Sequence, residues 1–181
     1  PLDACIVDVG CGVGEVARLM LDERPDLGVN MLNLSASQLE LCPELMTRVH
    51  ADMHDMPIVD GCADVVMVNY TLGYAELDTF MLEAARVLKP GGILFLYDLT
   101  RNHAANGPDE LMLEKFSYRV YARHVLTQAA GRAGLAFDDM RVLPATPWHL
   151  DPLLDEEYRG VIGRLSTTVL PTAMRFVKEG L

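Results

Sequence analysis

The stretch Ile6-Val7-Asp8-Val9-Gly10-Cys11-Gly12-Val13-Gly14-Glu15 decides the fold. It reads as an apolar strand running into a turn with three glycines in five positions. Behind it, Val16-Ala17-Arg18-Leu19-Met20-Leu21 repeats apolar side chains at helical spacing. Strand, glycine-rich turn and helix make the first unit of a doubly wound α/β sheet, where ligands bind outside the carboxyl ends of the strands. A dinucleotide fingerprint runs Gly-x-Gly-x-x-Gly. Here the spacing from Gly10 is Gly-x-Gly-x-Gly, and Glu15 stands where the last glycine would be. A pyrophosphate prefers a helix N-terminus free of carboxylates, so Glu15 opposes a dinucleotide. A cationic cofactor meets no such objection, and Asp8 and Glu15 could help to hold one. The glycines would let a ligand approach the backbone closely.

Outward from this unit, strand and helix patterns alternate, which predicts a mostly parallel sheet covered on both faces. Strands are expected at residues 29–34, 48–51, 64–69, 93–97, 136–142 and 173–178. The 64–69 strand is apolar in its middle and therefore central. Helices are expected at 35–41, with Ser35 as N-cap, and at 75–88, 122–133 and 153–165. Residues 43–47 read as a connection with some helical character. Lys89-Pro90-Gly91-Gly92 reads as a turn, Asp138-Asp139 as a turn or strand edge, and 144–152 as a loop carrying the only tryptophan.

The chain has 181 residues and is half hydrophobic, enough for one domain with a real core. Pro1 leads almost directly into the first strand, so we expect a single domain over 1–181 that lacks an N-terminal lid segment. The net charge of −11 is unfavourable for binding phosphate backbones. No apolar run reaches membrane-spanning length and no signal peptide is visible, so no membrane partner is expected and the expected location is cytoplasmic. Cysteines 5, 11, 42 and 62 lack Cys-x-x-Cys spacing and read as reduced thiols. No metal signature is visible.

Val7-Asp8-Val9-Gly10-Cys11-Gly12-Val13-Gly14 resembles motif I of the class I S-adenosylmethionine-dependent methyltransferases, and the resemblance continues downstream over nearly the whole chain. It implies a seven-stranded sheet whose last strand lies antiparallel between the fifth and sixth. It implies S-adenosylmethionine as cofactor, with Asp8 and the turn Gly10, Cys11, Gly12 and Gly14 facing its amino-acid part. The ribose position falls on Asn33, where the family usually has an acid. Gln38 is expected to share that grip, with Leu34 beside it. Asn33-Leu34-Ser35-Ala36-Ser37-Gln38 resembles the variant of cyclopropane-fatty-acid and prenyl-diphosphate C-methyltransferases. Asp52 would accept from the adenine amino group and Met53 would pack on the ring, whereas His54 and Asp55 read as surface residues. Asn69-Tyr70-Thr71-Leu72-Gly73-Tyr74 would lie beside the transferable methyl, with Tyr70 and Tyr74 placed for cation–π contact or substrate orientation. This loop lacks the prolines of the amino-methylating DNA enzymes.

The expected reaction is metal-independent, in-line displacement of a methyl group by a small-molecule acceptor that can be apolar. Tyr70, His103 and His149 are the candidate catalytic residues, the histidines because imidazole titrates near neutral pH. Residues 98–103, Phe116, Tyr118, Tyr121 and 147–150 are candidate pocket walls. The prenyl-diphosphate resemblance is partial: Tyr70 stands where those enzymes place an acid, and Arg101, Arg119 and Arg123 would have to meet a diphosphate. A non-catalytic module needing a partner, a nicotinamide oxidoreductase and a protein or tRNA methyltransferase are the alternatives. A homodimer is left open.

Overall fold

The computed structural model describes residues 1–101, 115–143 and 169–180. Strands β1 (Cys5–Val9), β2 (Gly28–Asn33), β3 (Thr47–His50), β4 (Ala63–Asn69), β5 (Leu88–Arg101), β6 (Tyr121–Ala122), β7 (Leu135–Val142) and β8 (Val169–Lys178) form one sheet. Its order is β3-β2-β1-β4-β5-β8-β7, with the two-residue β6 paired to β5. The pairs among β1 to β5 are parallel, and β8 runs antiparallel to both β5 and β7. The expected placement of the last strand is therefore found. The described strands number eight rather than the expected seven, because Tyr121–Ala122 pairs with Thr100 and Arg101.

Helices α1 (Glu15–Glu23), α2 (Ala36–Glu40), α3 (Leu77–Val87) and α4 (Arg123–Arg132) connect the strands. Side chains of a strand alternate between faces, and β1 shows how this divides the core. Val7 and Val9 pack with Phe80, Met81, Leu126 and Phe176 in one apolar cluster, while Ile6 packs with Ala17, Met31 and Leu39 in the other. The clusters correspond to α3 and α4 on one side and α1 and α2 on the other. Asp8 shares the register of Ile6, pairs with Met31 and Met67 across the sheet, and is 1% exposed.

Three local features depart from the sequence expectation. Residues 43–46 make a single turn closed by Met46 N–H to the Pro43 carbonyl, without a helix, and Thr47 already opens β3. Lys89–Gly92 does not separate α3 from a later strand but lies inside β5 as an irregularity. Ala63 pairs with Leu88 and Val65 with Ile93, so β5 carries the extra residues. Lys89 fastens that bulge to Asp64 at 2.7 Å, and Gly91 supplies a φ of +77°. Asp138 is a bulge within β7, between Phe137 and Asp139 in the pairing with β8. The expected 153–165 helix and 144–152 loop lie outside the described residues, as do His103 and His149. No helix among the described residues is long and apolar enough to cross a membrane.

Candidate cofactor site

A cavity of about 280 Å³ opens at the carboxyl ends of β1, β2, β3 and β4. Gly10, Asn33, Leu34, Gln38, Asp52, Met53 and Tyr74 line it, all singled out from sequence, together with Leu32, Ala51, His54 and Thr71.

Of the glycine loop, Gly10 lines the cavity. Gly10, Gly12 and Gly14 have φ values of +68°, +58° and +79°, a region costly for side chains other than glycine. Their surroundings differ. A Cβ on Gly10 would lie 2.2 Å from Thr71 Cγ2, and one on Gly14 would lie 2.8 Å from Met31 Sδ. A Cβ on Gly12 would meet nothing within 4 Å. Gly10 and Gly14 thus serve packing, whereas Gly12 leaves open space. Thr71 Oγ1 donates to the Gly10 carbonyl at 3.2 Å and to that of Asn69 at 3.0 Å, tying the loop after β4 to the loop after β1. Glu15 does not turn toward the cavity ligand space: Arg18 grips both its oxygens, at 2.6 and 3.0 Å, on the exposed flank of α1. Cys11 shares the Gly12 carbonyl with Cys42, and burial pushes its thiol up to about 12.

At the end of β2, Asn33 Nδ2 donates to Gln38 Oε1 at 2.9 Å and to the Gly12 carbonyl at 3.2 Å, while its Oδ1 accepts from Ser35 N–H. The structure brings Asn33 and Gln38 together as the sequence suggested, but the Asn33 amide is already engaged on both sides. Gln38 retains amide donors for a ligand. Ser35 caps α2 by accepting from Gln38 N–H.

After β3, Asp52 Oδ1 accepts from the main-chain N–H of His54 at 2.9 Å and from its ring Nδ1 at 2.5 Å. The main-chain bond, with the ring behind it, holds the Asp52 carboxyl below its ordinary range. His54 is no simple surface residue, because Glu76 N–H donates to its Nε2 at 2.8 Å. Sequence could not find this link, which joins positions 22 residues apart.

Two buried polar atoms lack hydrogen-bond partners among the described residues: Asp8 Oδ2 and Asn69 Nδ2. They sit on adjacent strands, and such atoms are costly unless paired. Burial pushes the Asp8 carboxyl up to about 6. An ammonium is the chemistry that would satisfy the first atom and a carboxylate the second. Tyr70 has φ +49° and packs edge-on against Tyr97, with ring centroids 5.0 Å apart. Burial raises its phenol, so it stays protonated and suits orientation or hydrogen-bond donation rather than base catalysis. Tyr74 is more exposed and packs edge-on against Tyr118 at 4.9 Å.

Behind this loop lies Asp98, 2% exposed. Tyr118 OH and the N–H groups of Leu72 and Leu99 all donate to it. Burial still outweighs those bonds and pushes its carboxyl up to about 6. Asp98, expected at a strand end and as a candidate pocket wall, instead anchors the 72–74 turn, and Tyr118 and Tyr121 are buried supports. Among the described residues no group of three His, Cys, Asp or Glu is placed to hold a metal ion.

Comparison with known proteins agrees with this geometry. Residues 7–96 match the methyltransferase-domain family. Malonyl-[acyl-carrier protein] O-methyltransferase of Dechloromonas aromatica (strain RCB) is 26% identical over 142 residues, 75% of this chain and 53% of that protein. Sterol 4-C-methyltransferase strm-1 of Caenorhabditis elegans is 31% identical over 163 residues, 83% of this chain and 45% of that protein. The chain thus spans about half the length of these curated relatives. Among solved structures, geranyl diphosphate C-methyltransferase from Streptomyces coelicolor A3(2) superimposes with a TM-score of 0.88 at 17% identity, covering 97% of this chain and 71% of that one.

Proposed function

Because this chain belongs, through residues 7–96, to the class I methyltransferases that use S-adenosylmethionine, we propose that it methylates a small-molecule acceptor. The observation carrying this reading is the cavity itself. Gly10, the Asn33–Gln38 pair and Asp52 line it, and the open Gly12 and the buried, unpartnered carboxylate of Asp8 lie on the same loop and strand as Gly10. Each fits one part of the cofactor. Asp8 would receive the ammonium, and Asn69 with the main chain around Gly12 would receive the carboxylate. Gln38, steadied by Asn33, would hold the ribose hydroxyls. Asp52 would accept from the adenine amino group, with Met53 and Leu34 against the base.

The bound cofactor supplies a methyl group already activated on a sulfonium. The chain's own contribution is proximity, alignment and exclusion of water. Tyr70, Thr71 and Tyr74 stand on the loop beside the expected methyl position, and Tyr74, which lines the cavity, would offer an aromatic face to a cation. A base is needed only where the acceptor carries a proton. His103 and His149, outside the described residues, are the proposed sources of one. The net charge of −11 disfavours a nucleic-acid acceptor. Four free cysteines suit a reducing compartment, so we place the protein in the cytoplasm.

The test is methyl transfer from radiolabelled S-adenosylmethionine into a cell extract separated into small-molecule, RNA and protein fractions. Label in the small-molecule fraction is expected. Label confined to RNA or protein would overturn the acceptor class.

A further inference from the structure

His54 lines the cavity and touches two segments that sequence does not connect. Its Nε2 accepts the Glu76 N–H immediately before α3. An acceptor needs a lone pair, which ring nitrogens offer only when unprotonated. Nε2 must therefore be bare and the ring neutral. The single proton then sits on Nδ1, where it points at Asp52 Oδ1 at 2.5 Å. The main-chain N–H of His54 takes the same oxygen. Among the described residues Asp52 Oδ2 has no hydrogen bond, so it is the oxygen left for a ligand.

We propose that His54 is a positioning residue: fixed as its Nδ1–H tautomer by the Glu76 N–H, it orients Asp52 so that Oδ2 faces the amino group of the cofactor's base. This rests on the adenine placement proposed above. It assigns to His54 part of the selectivity for an amino-bearing base. It also means that the adenine loop is registered against the start of α3, and not only against the sheet. The His54 side chain is about one-quarter exposed, so water competes only in part for these bonds.

Two measurements on the full chain test it. Long-range proton–nitrogen NMR on histidine-labelled protein should show His54 protonated at Nδ1 and bare at Nε2. A proton on Nε2 would overturn the proposal, whatever the cofactor does. Calorimetric titration then compares S-adenosylhomocysteine with its deaminated analogue, whose base carries a carbonyl in place of the amino group. The parent chain should prefer the amino form. His54→Ala should weaken the amino form about tenfold, the scale of one well-placed hydrogen bond, and reduce the preference. His54→Gln, whose amide keeps one donor and one acceptor, should restore both to within about threefold. An unaltered preference in His54→Ala, or equal losses for both ligands, would refute the positioning role. Failure of the parent chain to bind either ligand would instead refute the adenine placement, while the NMR result would still decide the tautomer.

Discussion

At the scale of single residues, Asp8 carries the sharpest expectation. Its ionised form lacks a partner in a buried place, and its carboxyl stands at about 6 against an ordinary 3.8. Between those values the folded chain holds a proton that the unfolded chain has released, so stability falls as pH rises through that window. Asp8→Asn removes the buried charge and should raise stability at pH 7 by on the order of 2–3 kcal/mol, read from denaturant unfolding. Cofactor binding should respond in the opposite sense. Pairing with an ammonium needs the ionised acid, so affinity for S-adenosylhomocysteine should drop about tenfold per unit as pH falls below about 6. Asp8→Asn should bind weakly and lose that acid limb. An unchanged limb would move the ammonium elsewhere. The glycines separate in the same way. Gly10→Ala forces a Cβ against Thr71 and should cost stability by about 1–3 kcal/mol. Gly12→Val meets open space, so it should fold at a similar or smaller cost yet lose binding. Thermal melts beside titrations distinguish the two. Most of these residues were legible, since Gly-x-Gly-x-Gly and the acids at strand ends are local patterns. His54, Thr71 and Asp98 were not, because each acts through bonds to residues 22 to 61 positions away.

At the scale of elements, α3 shows how one side chain secures a loop. Arg86 donates to the carbonyls of Met56 and Ile58 at 2.9 and 2.8 Å and also grips Glu83 and Asp60. Glu83 in turn accepts Met56 N–H at 2.6 Å. The 56–60 segment following the adenine loop is thereby pinned to the helix. Arg86→Met keeps an apolar stem but leaves two carbonyls and two carboxylates short of a donor. It should lower stability by about 1–3 kcal/mol, measured by denaturant unfolding, and an unchanged midpoint would show that the segment holds itself. The elements were legible wherever periodicity was strong, as in β1, β4 and α1. They were less so where tertiary pairing overrides local signals. Pro90-Gly91-Gly92 has the composition of a turn, yet pairing with β4 on both sides of it, at Leu88 and again from Ile93, keeps β5 continuous. Tyr121–Ala122 is too short for any period to register, and only its pairing with β5 makes it a strand.

At the scale of the molecule, sheet order places the cavity. β1 lies between β2 and β4, so the loops after these three strands converge at one edge. The alternation of strand and helix made the doubly wound sheet legible, whereas the position of β8 came only through resemblance, since nothing in residues 169–178 states which strands they join. The charge of −11 belongs to this scale too. The chain should pass unretained over immobilised RNA even at low salt, and salt-sensitive retention would reopen an RNA acceptor. The most direct measurement of the central claim is calorimetric titration of the chain, and of Gly12→Val, with S-adenosylhomocysteine and with NADH. The account predicts micromolar binding of S-adenosylhomocysteine, lost in Gly12→Val, and no heat from NADH. Binding of NADH alone, or S-adenosylhomocysteine binding untouched by Gly12→Val, would contradict it.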